Sequence, residues 1–182
     1  KYGVKHFSIY SLIIEDKTYL GYLQKNNQFM RLDDNKDAII YEQIVRYLTS
    51  LDYVQYEVSN FSKEGYQSQH NLIYWNNNNY VGVGPSASYF IGNTRYTNIN
   101  HLNKYFAGID SSVLCFLEKI DLNKEQMMLD EIMMGLRKTT GINKGNFFKK
   151  YQVSVLEAFP KLKNLIKEGI IIEEENYIYV KN

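Results

Sequence analysis

Hydrophobic and polar residues change rhythm along this chain, and the changes mark its expected elements. Lys5 to Ile14 (KHFSIYSLII) alternates at Phe7 and Ile9 and then turns continuously apolar, the pattern of a strand buried on both faces. Glu15 to Asn35 is polar, with Gly21 and Asn26-Asn27, and reads as a long connection. Asp34 can cap a helix over Lys36 to Ser50, where Ile40, Ile44, Tyr47, Leu48 and then Leu51 keep helical spacing. Tyr53 to Ser59 is strand-like again. Strand, crossover helix and strand predict a βαβ unit with parallel pairing.

Asn60 to Asn79 is aromatic and polar without clear periodicity. Tyr80 to Gly84 reads as a short strand entering Pro85-Ser86-Ala87-Ser88, Thr94 to Thr97 as a neighbouring strand, and Ile99 to Phe106 as a short helix. Gly108 to Leu122 looks like a passage between two parts. Beyond it, Asp121 or Asn123 starts a helix to about Lys138, with Met127, Met128, Leu129, Ile132, Met133 and Leu136 on its apolar side. Asn143 to Tyr151 is a second helix. Ser154 to Glu168 is a third, which Pro160 must kink or divide. Gly169 stops it, and Ile170 to Ile172 and Tyr177 to Val180 flank a hairpin. Three helices and a hairpin form a winged-helix-like pattern.

Composition narrows the partners. Twenty-one Lys and Arg balance 20 Asp and Glu, so no bulk field draws the chain to nucleic acid or to a membrane surface. From residue 121 onward the basic and acidic counts are ten and nine, and Glu173 to Glu175 sit at the wing tip. A winged-helix nucleic-acid binder, the reading that the bare pattern suggests, is therefore disfavoured. No apolar run is long enough to span a bilayer and no signal peptide is visible, so a cytoplasmic protein is expected. Cys115 is the only cysteine, which leaves no disulfide and no multi-cysteine metal site.

The densest chemistry lies between Tyr56 and Trp75. His70 is followed by Asn71 and, one turn later, by Tyr74 and the only tryptophan, Trp75. A histidine among flat aromatic rings can ligate a metal, with an adjacent amide fixing its tautomer. The same residues can equally pack a loop, the imidazole satisfied by a carbonyl. Gly82-Val83-Gly84-Pro85-Ser86-Ala87-Ser88 is a glycine-rich turn at a strand end, where backbone can approach a ligand. It has neither G-x-G-x-x-G nor the P-loop lysine, so close internal packing explains it as well. His6 and His101 read as structural histidines, the methionines as core, and Glu57 as facing either ligand or solvent.

Taken in order, H-F-S-I-Y-S-L at His6, Y-E-V-S-N-F-S at Tyr56, G-Y-Q-S-Q-H-N-L-I-Y-W at Gly65 and G-V-G-P-S-A-S at Gly82 resemble the HemW-like heme chaperones. These belong to the radical S-adenosylmethionine family, and they are similar to oxygen-independent coproporphyrinogen III oxidases. The resemblance covers essentially the whole chain. It implies an α/β fold: the last strands and helices of a partial (β/α) barrel over 1–108, then a small helical winged-helix-like C-terminal domain over 109–182. It implies heme bound at His70, Asn71, Tyr74 and Trp75, with His70 on the iron, and delivery of that heme to client proteins. It further implies S-adenosylmethionine in the vicinity of Leu12, Ile13, Gly82, Gly84, Ser86 and Ser88. The family's C-x-x-x-C-x-x-C motif for a [4Fe–4S] cluster is absent, and one cysteine cannot replace three thiolates. The chain thus looks like the C-terminal part of a longer protein, inactive alone as a radical enzyme. The family often has His where Ser88 stands. The alternative within the family is part of an oxygen-independent coproporphyrinogen III dehydrogenase of porphyrin biosynthesis.

Overall fold

A computed structural model describes residues 3–113 and 115–181. Leu114, inside the expected passage from Gly108 to Leu122, lies outside the described residues. The chain divides into two units, one ending at Gln67 and the other starting at Ser68.

In the first unit, β1 (His6–Ser8) and β2 (Val54–Gln55) both pair with β3 (Asn60–Ser62), in the order β1-β3-β2. Both pairings are antiparallel, with Phe7 and Gln55 each opposite Phe61. This corrects the expected βαβ unit with parallel pairing. Tyr53 to Ser59 does not run as one strand: the Tyr56 N–H donates to the Asn60 carbonyl at 3.2 Å, folding the chain back. The partner of β1 is therefore the return strand. The expectation of a strand buried on both faces to Ile14 is corrected too. After Ser8 the ladder adds only the Ile9 N–H to Ser59 carbonyl bond, 2.8 Å. Residues 10–14 have no sheet to lie in, and Tyr10, Leu12 and Ile13 are 68, 51 and 77% exposed.

Between β1 and β2 lie α1 (Tyr19–Lys25) and α2 (Asp34–Ser50). The expected irregular connection thus contains a helix, capped where Thr18 Oγ1 accepts the Gly21 N–H at 3.1 Å. Asp33 rather than Asp34 caps α2, accepting the Lys36 N–H at 3.0 Å. That bond, and one from the Lys36 side chain, hold the Asp33 carboxyl below its usual range.

The second unit opens with α3 (Gln69–Trp75), in a stretch whose sequence shows no periodicity. The strand expected over Tyr80 to Gly84 is replaced by an isolated bridge from Tyr80 to Phe90. The meander instead consists of β4 (Ser88–Ile91), β5 (Thr94–Asn98) and β6 (Phe116–Asp121), all antiparallel. Between β5 and β6 runs α4 (Leu102–Asp110), which contains the domain division expected at 108/109. Tyr89 stacks on its cross-strand partner Tyr96 at 4.7 Å, and burial pushes the Tyr89 phenol up.

After Leu122 most local signals and the structure agree, although α5 ends at Gly135 rather than near Lys138. Asn123 and Gln126 form a reciprocal cap, each bond 2.9 Å, at the start of α5 (Lys124–Gly135). Then come β7 (Ile142–Asn143), α6 (Lys144–Tyr151), α7 (Val155–Ala158) and α8 (Leu162–Lys167), with Pro160 dividing the last two. Gly169, at φ +71°, ends α8, and β8 (Ile171–Glu173) and β9 (Tyr177–Val180) form the hairpin. No alternating run announces β7, which joins them in the order β7-β9-β8. It can do so because Gly141 has φ +70° and no Cβ, which would run into the Ile178 carbonyl. Ile132, Ile142, Phe147, Tyr151, Val155 and Ile178 centre the core, with Met127 and Met128 packed on it. Leu129 and Met133, one position round the helix, stay about half exposed, contrary to the expected apolar side.

The α/β class therefore holds, built from three small antiparallel sheets. Among the described residues no helix is long and apolar enough to cross a membrane.

Candidate functional site

Ser68 caps α3 by accepting the Asn71 N–H at 3.3 Å, so the H-N-x-x-Y-W residues sit on one short helix. Helical spacing then fixes what they meet. His70 and Tyr74, four apart, touch edge to face at 4.8 Å and 84°. Tyr74 in turn meets Tyr80 at 4.4 Å and 71°. His70 itself is exposed. Among the described residues no hydrogen bond reaches its ring nitrogens, and none joins them to the Asn71 amide. The imidazole is thus propped from one side and open at its nitrogens. Burial, with the neighbouring Tyr74 phenol, raises the Tyr80 pKa.

Trp75 points the argument elsewhere. It lines a cleft of about 570 Å³ together with Asn76, Lys138, Asn143, Lys149 and Lys150. The Arg137 guanidinium lies 5.6 Å from the Trp75 ring centre, and the buried Trp75 Nε1 has no hydrogen-bond partner among the described residues. Lys138 Nζ donates to Asn76 Oδ1 at 2.6 Å. Burial pulls the Lys138 ammonium below its ordinary pKa, and Glu131 opposes that shift. Glu131 accepts from Lys150 Nζ at 2.6 Å and from the Tyr151 hydroxyl at 2.9 Å. Burial, then the Glu131 charge, pushes the Tyr151 phenol far up, so it keeps the proton that it donates to Glu131. The sequence reading missed these lysines. Their one visible trace is a pair of cationic doublets, Arg137-Lys138 and Lys149-Lys150.

The glycine-rich segment is tied down from within. Asn98 Nδ2 donates to the Gly82 and Gly84 carbonyls at 3.3 and 2.9 Å, and the Gly84 N–H donates to Tyr105 Oη at 3.0 Å. The Ser86 N–H reaches the Ile99 carbonyl at 3.2 Å. Gly82 has no room for a Cβ against the Ser88 carbonyl, while Gly84 holds φ +108°. Ser88 begins β4, its hydroxyl 3.3 Å from Thr97 Oγ1. The outer side of this turn remains open at Val83, Ser86 and Ser88. Cys115 lines a smaller cavity beside Gly82.

In the first unit, Leu12 and Ile13 are exposed. His6 Nε2 lies 2.8 Å from the Tyr56 hydroxyl, a structural partner of the kind expected. Glu57, which the sequence left undecided, is 1% exposed and accepts the Ser59 N–H at 3.2 Å. His101 precedes α4 without capping it through its side chain.

Residues 122–182 match the family described as the HemN C-terminal domain. The chain is similar to "Heme chaperone HemW" of Bacillus subtilis, 34% identical over 177 residues, covering 97% of this chain and 47% of that protein. It is 30% identical to the HemW of Lactococcus lactis, covering 96% of this chain and 46% of that protein. Over 82 residues, 45% of this chain and 21% of that protein, it is 42% identical to the HemW of Escherichia coli. The chain spans about half the length of the first two relatives. In fold it matches the Escherichia coli coproporphyrinogen III oxidase HemN, a radical SAM enzyme. The TM-score is 0.61 at 16% identity, over 83% of this chain and 38% of that one.

Proposed function

We propose that this chain, a relative of the HemW heme chaperones whose residues 122–182 match the HemN C-terminal domain, binds heme through α3. The longer protein that it resembles would deliver this heme to client proteins, in the cytoplasm. One observation carries the reading: an exposed imidazole, propped on Tyr74, with no protein hydrogen bond on either ring nitrogen among the described residues. Such a group would be able to hold a heme iron.

His70 would hold the iron through a ring nitrogen. Tyr74 limits the swing of that ring by its edge contact, and Tyr80 backs Tyr74. Trp75 and Asn71 lie on the same helix, Trp75 as a packing surface; Asn71 would orient the ring only by turning its amide to the imidazole, to which no bond joins it among the described residues. When bound, heme supplies an iron centre to be handed on. This chain's residues bind and release it.

S-adenosylmethionine is proposed at the outer side of the Gly82–Ser88 turn, where Ser86 and Ser88 offer hydroxyls; in the first unit, Leu12 and Ile13 are exposed positions that the same proposal names. Gly84 and Gly82 would shape that turn, their carbonyls and the Gly84 N–H being already paired within the chain. A [4Fe–4S] cluster does not fit this chain, which offers the single thiol of Cys115. The winged-helix-like description of residues 109–182, and the partial barrel before them, belong to this same proposal.

Heme titrated into the chain and into His70→Ala, followed at the Soret band, tests the reading. The expected result is a saturable, near-stoichiometric shift in the parent chain that His70→Ala abolishes. Equal weak binding by both would overturn it.

A further inference from the structure

The cleft beside Trp75 combines features that stability alone does not require. Lys138, Lys149 and Lys150 share it with one carboxylate, Glu131, leaving a net charge of +2. Lys150 is matched by Glu131 at 2.6 Å. Lys138 donates to the neutral Asn76 amide and feels the Glu131 charge without an ion pair to it, and Lys149 has no acidic partner among the described residues. One carboxylate thus serves three ammonium groups, leaving two positive charges in excess, and burial works against the charge on Lys138. Asn143 and Asn146 add polar groups to the lining, and the buried Trp75 Nε1 is a spare donor. The volume of about 570 Å³ lies within the range of small-molecule sites.

We propose that this cleft binds the carboxylates of an acidic ligand, and, resting on the heme reading above, that these are the two propionates of a tetrapyrrole. Two positive charges in excess match two carboxylates. Charge-assisted hydrogen bonds from Lys138 and Lys149 would select the free acid, while Trp75 offers an apolar flank to the ring. The lysines recognise the charged edge of the ligand, and they do so whether or not iron is present.

The test compares heme, heme dimethyl ester and metal-free protoporphyrin IX, each titrated into the parent chain, Lys138→Gln/Lys149→Gln, Lys149→Arg and His70→Ala. The parent should prefer the free acid over the ester by about tenfold for each lysine engaged. The double variant should lose that preference while binding the ester as the parent does, which also shows that it is folded. Lys149→Arg should keep most of the preference. No preference in the parent, or an undiminished one in the double variant, would overturn the proposal. So would displacement of protoporphyrin by micromolar inorganic phosphate, which would make the cleft a site for small free anions. Protoporphyrin separates the two readings. If His70→Ala leaves heme binding intact while the lysine variant still weakens protoporphyrin binding, the iron ligand is wrong and the carboxylate site stands.

Discussion

The unit ending at Gln67 and the segment after Leu122 spend their apolar residues differently. The C-terminal segment gathers them around Phe147 and Ile178, both fully buried, from four helices and three strands. The first unit buries Leu48, Tyr56 and Phe61, yet leaves Leu12, Ile13, Ile39, Ile40 and Tyr47 exposed. Both segments are rich in the same residue types. What differs is whether the elements that bury them lie close in sequence. Where they do, periodicity and burial coincide; where they do not, an apolar run says little about its own surroundings.

This contrast can be broken by measurement. Phe147→Ala should cost about 3–5 kcal/mol in urea unfolding followed by circular dichroism; a much smaller loss would mean that the C-terminal core is not the stable part. Gly141→Ala forces a Cβ against the Ile178 carbonyl at positive φ and should cost about 1–3 kcal/mol in the same assay, loosening β7. Ser68→Ala should cost about 1 kcal/mol. Its sharper readout is a change in Trp75 fluorescence, because that cap anchors the helix carrying Trp75.

A smaller effect should appear with pH. Lys138 titrates below its ordinary 10.5, so the unfolded chain binds more protons than the folded one between the depressed value and 10.5. Stability contributed by this group therefore rises with pH across that window, and Lys138→Met should flatten the rise. Smallest of all, Ile40→Ser on α2 should stay within about 0.5 kcal/mol. A loss comparable to that of Phe147→Ala would erase the distinction between the two regions.

How much was legible follows the same line. The helix start expected at Asp121 or Asn123, the Ser154 opening, the Pro160 break and the Gly169 stop are local signals, and the structure honours them, with Asn123 as the cap. The return strand β3 was hidden because a tight reversal at Tyr56 to Ser59 interrupts what reads as one continuous strand. α1 was hidden inside a largely polar stretch, because its seven residues are too few to establish a period. The aromatic motif around His70 was visible as chemistry, but not as a helix, since seven residues are too few to establish a period. The lysine cleft could not be read at all: its members come from the end of α3, the turn after α5, and α6, and only the folded chain assembles them.

One junction has an evolutionary meaning. Asn143 is the last residue of β7 and also the N-cap of α6, its side chain accepting the Asn146 N–H at 2.8 Å. The next residue, Lys144, is held to the Asn176 carbonyl by its N–H, 2.9 Å, and to Glu173 by its ammonium, 2.9 Å. No slack residue separates strand from helix. An insertion of even one amino acid here would rotate α6 by about 100° and carry Lys149 and Lys150 off the cleft. Length variation among relatives should therefore accumulate at the hairpin turn near Glu175 and avoid this point.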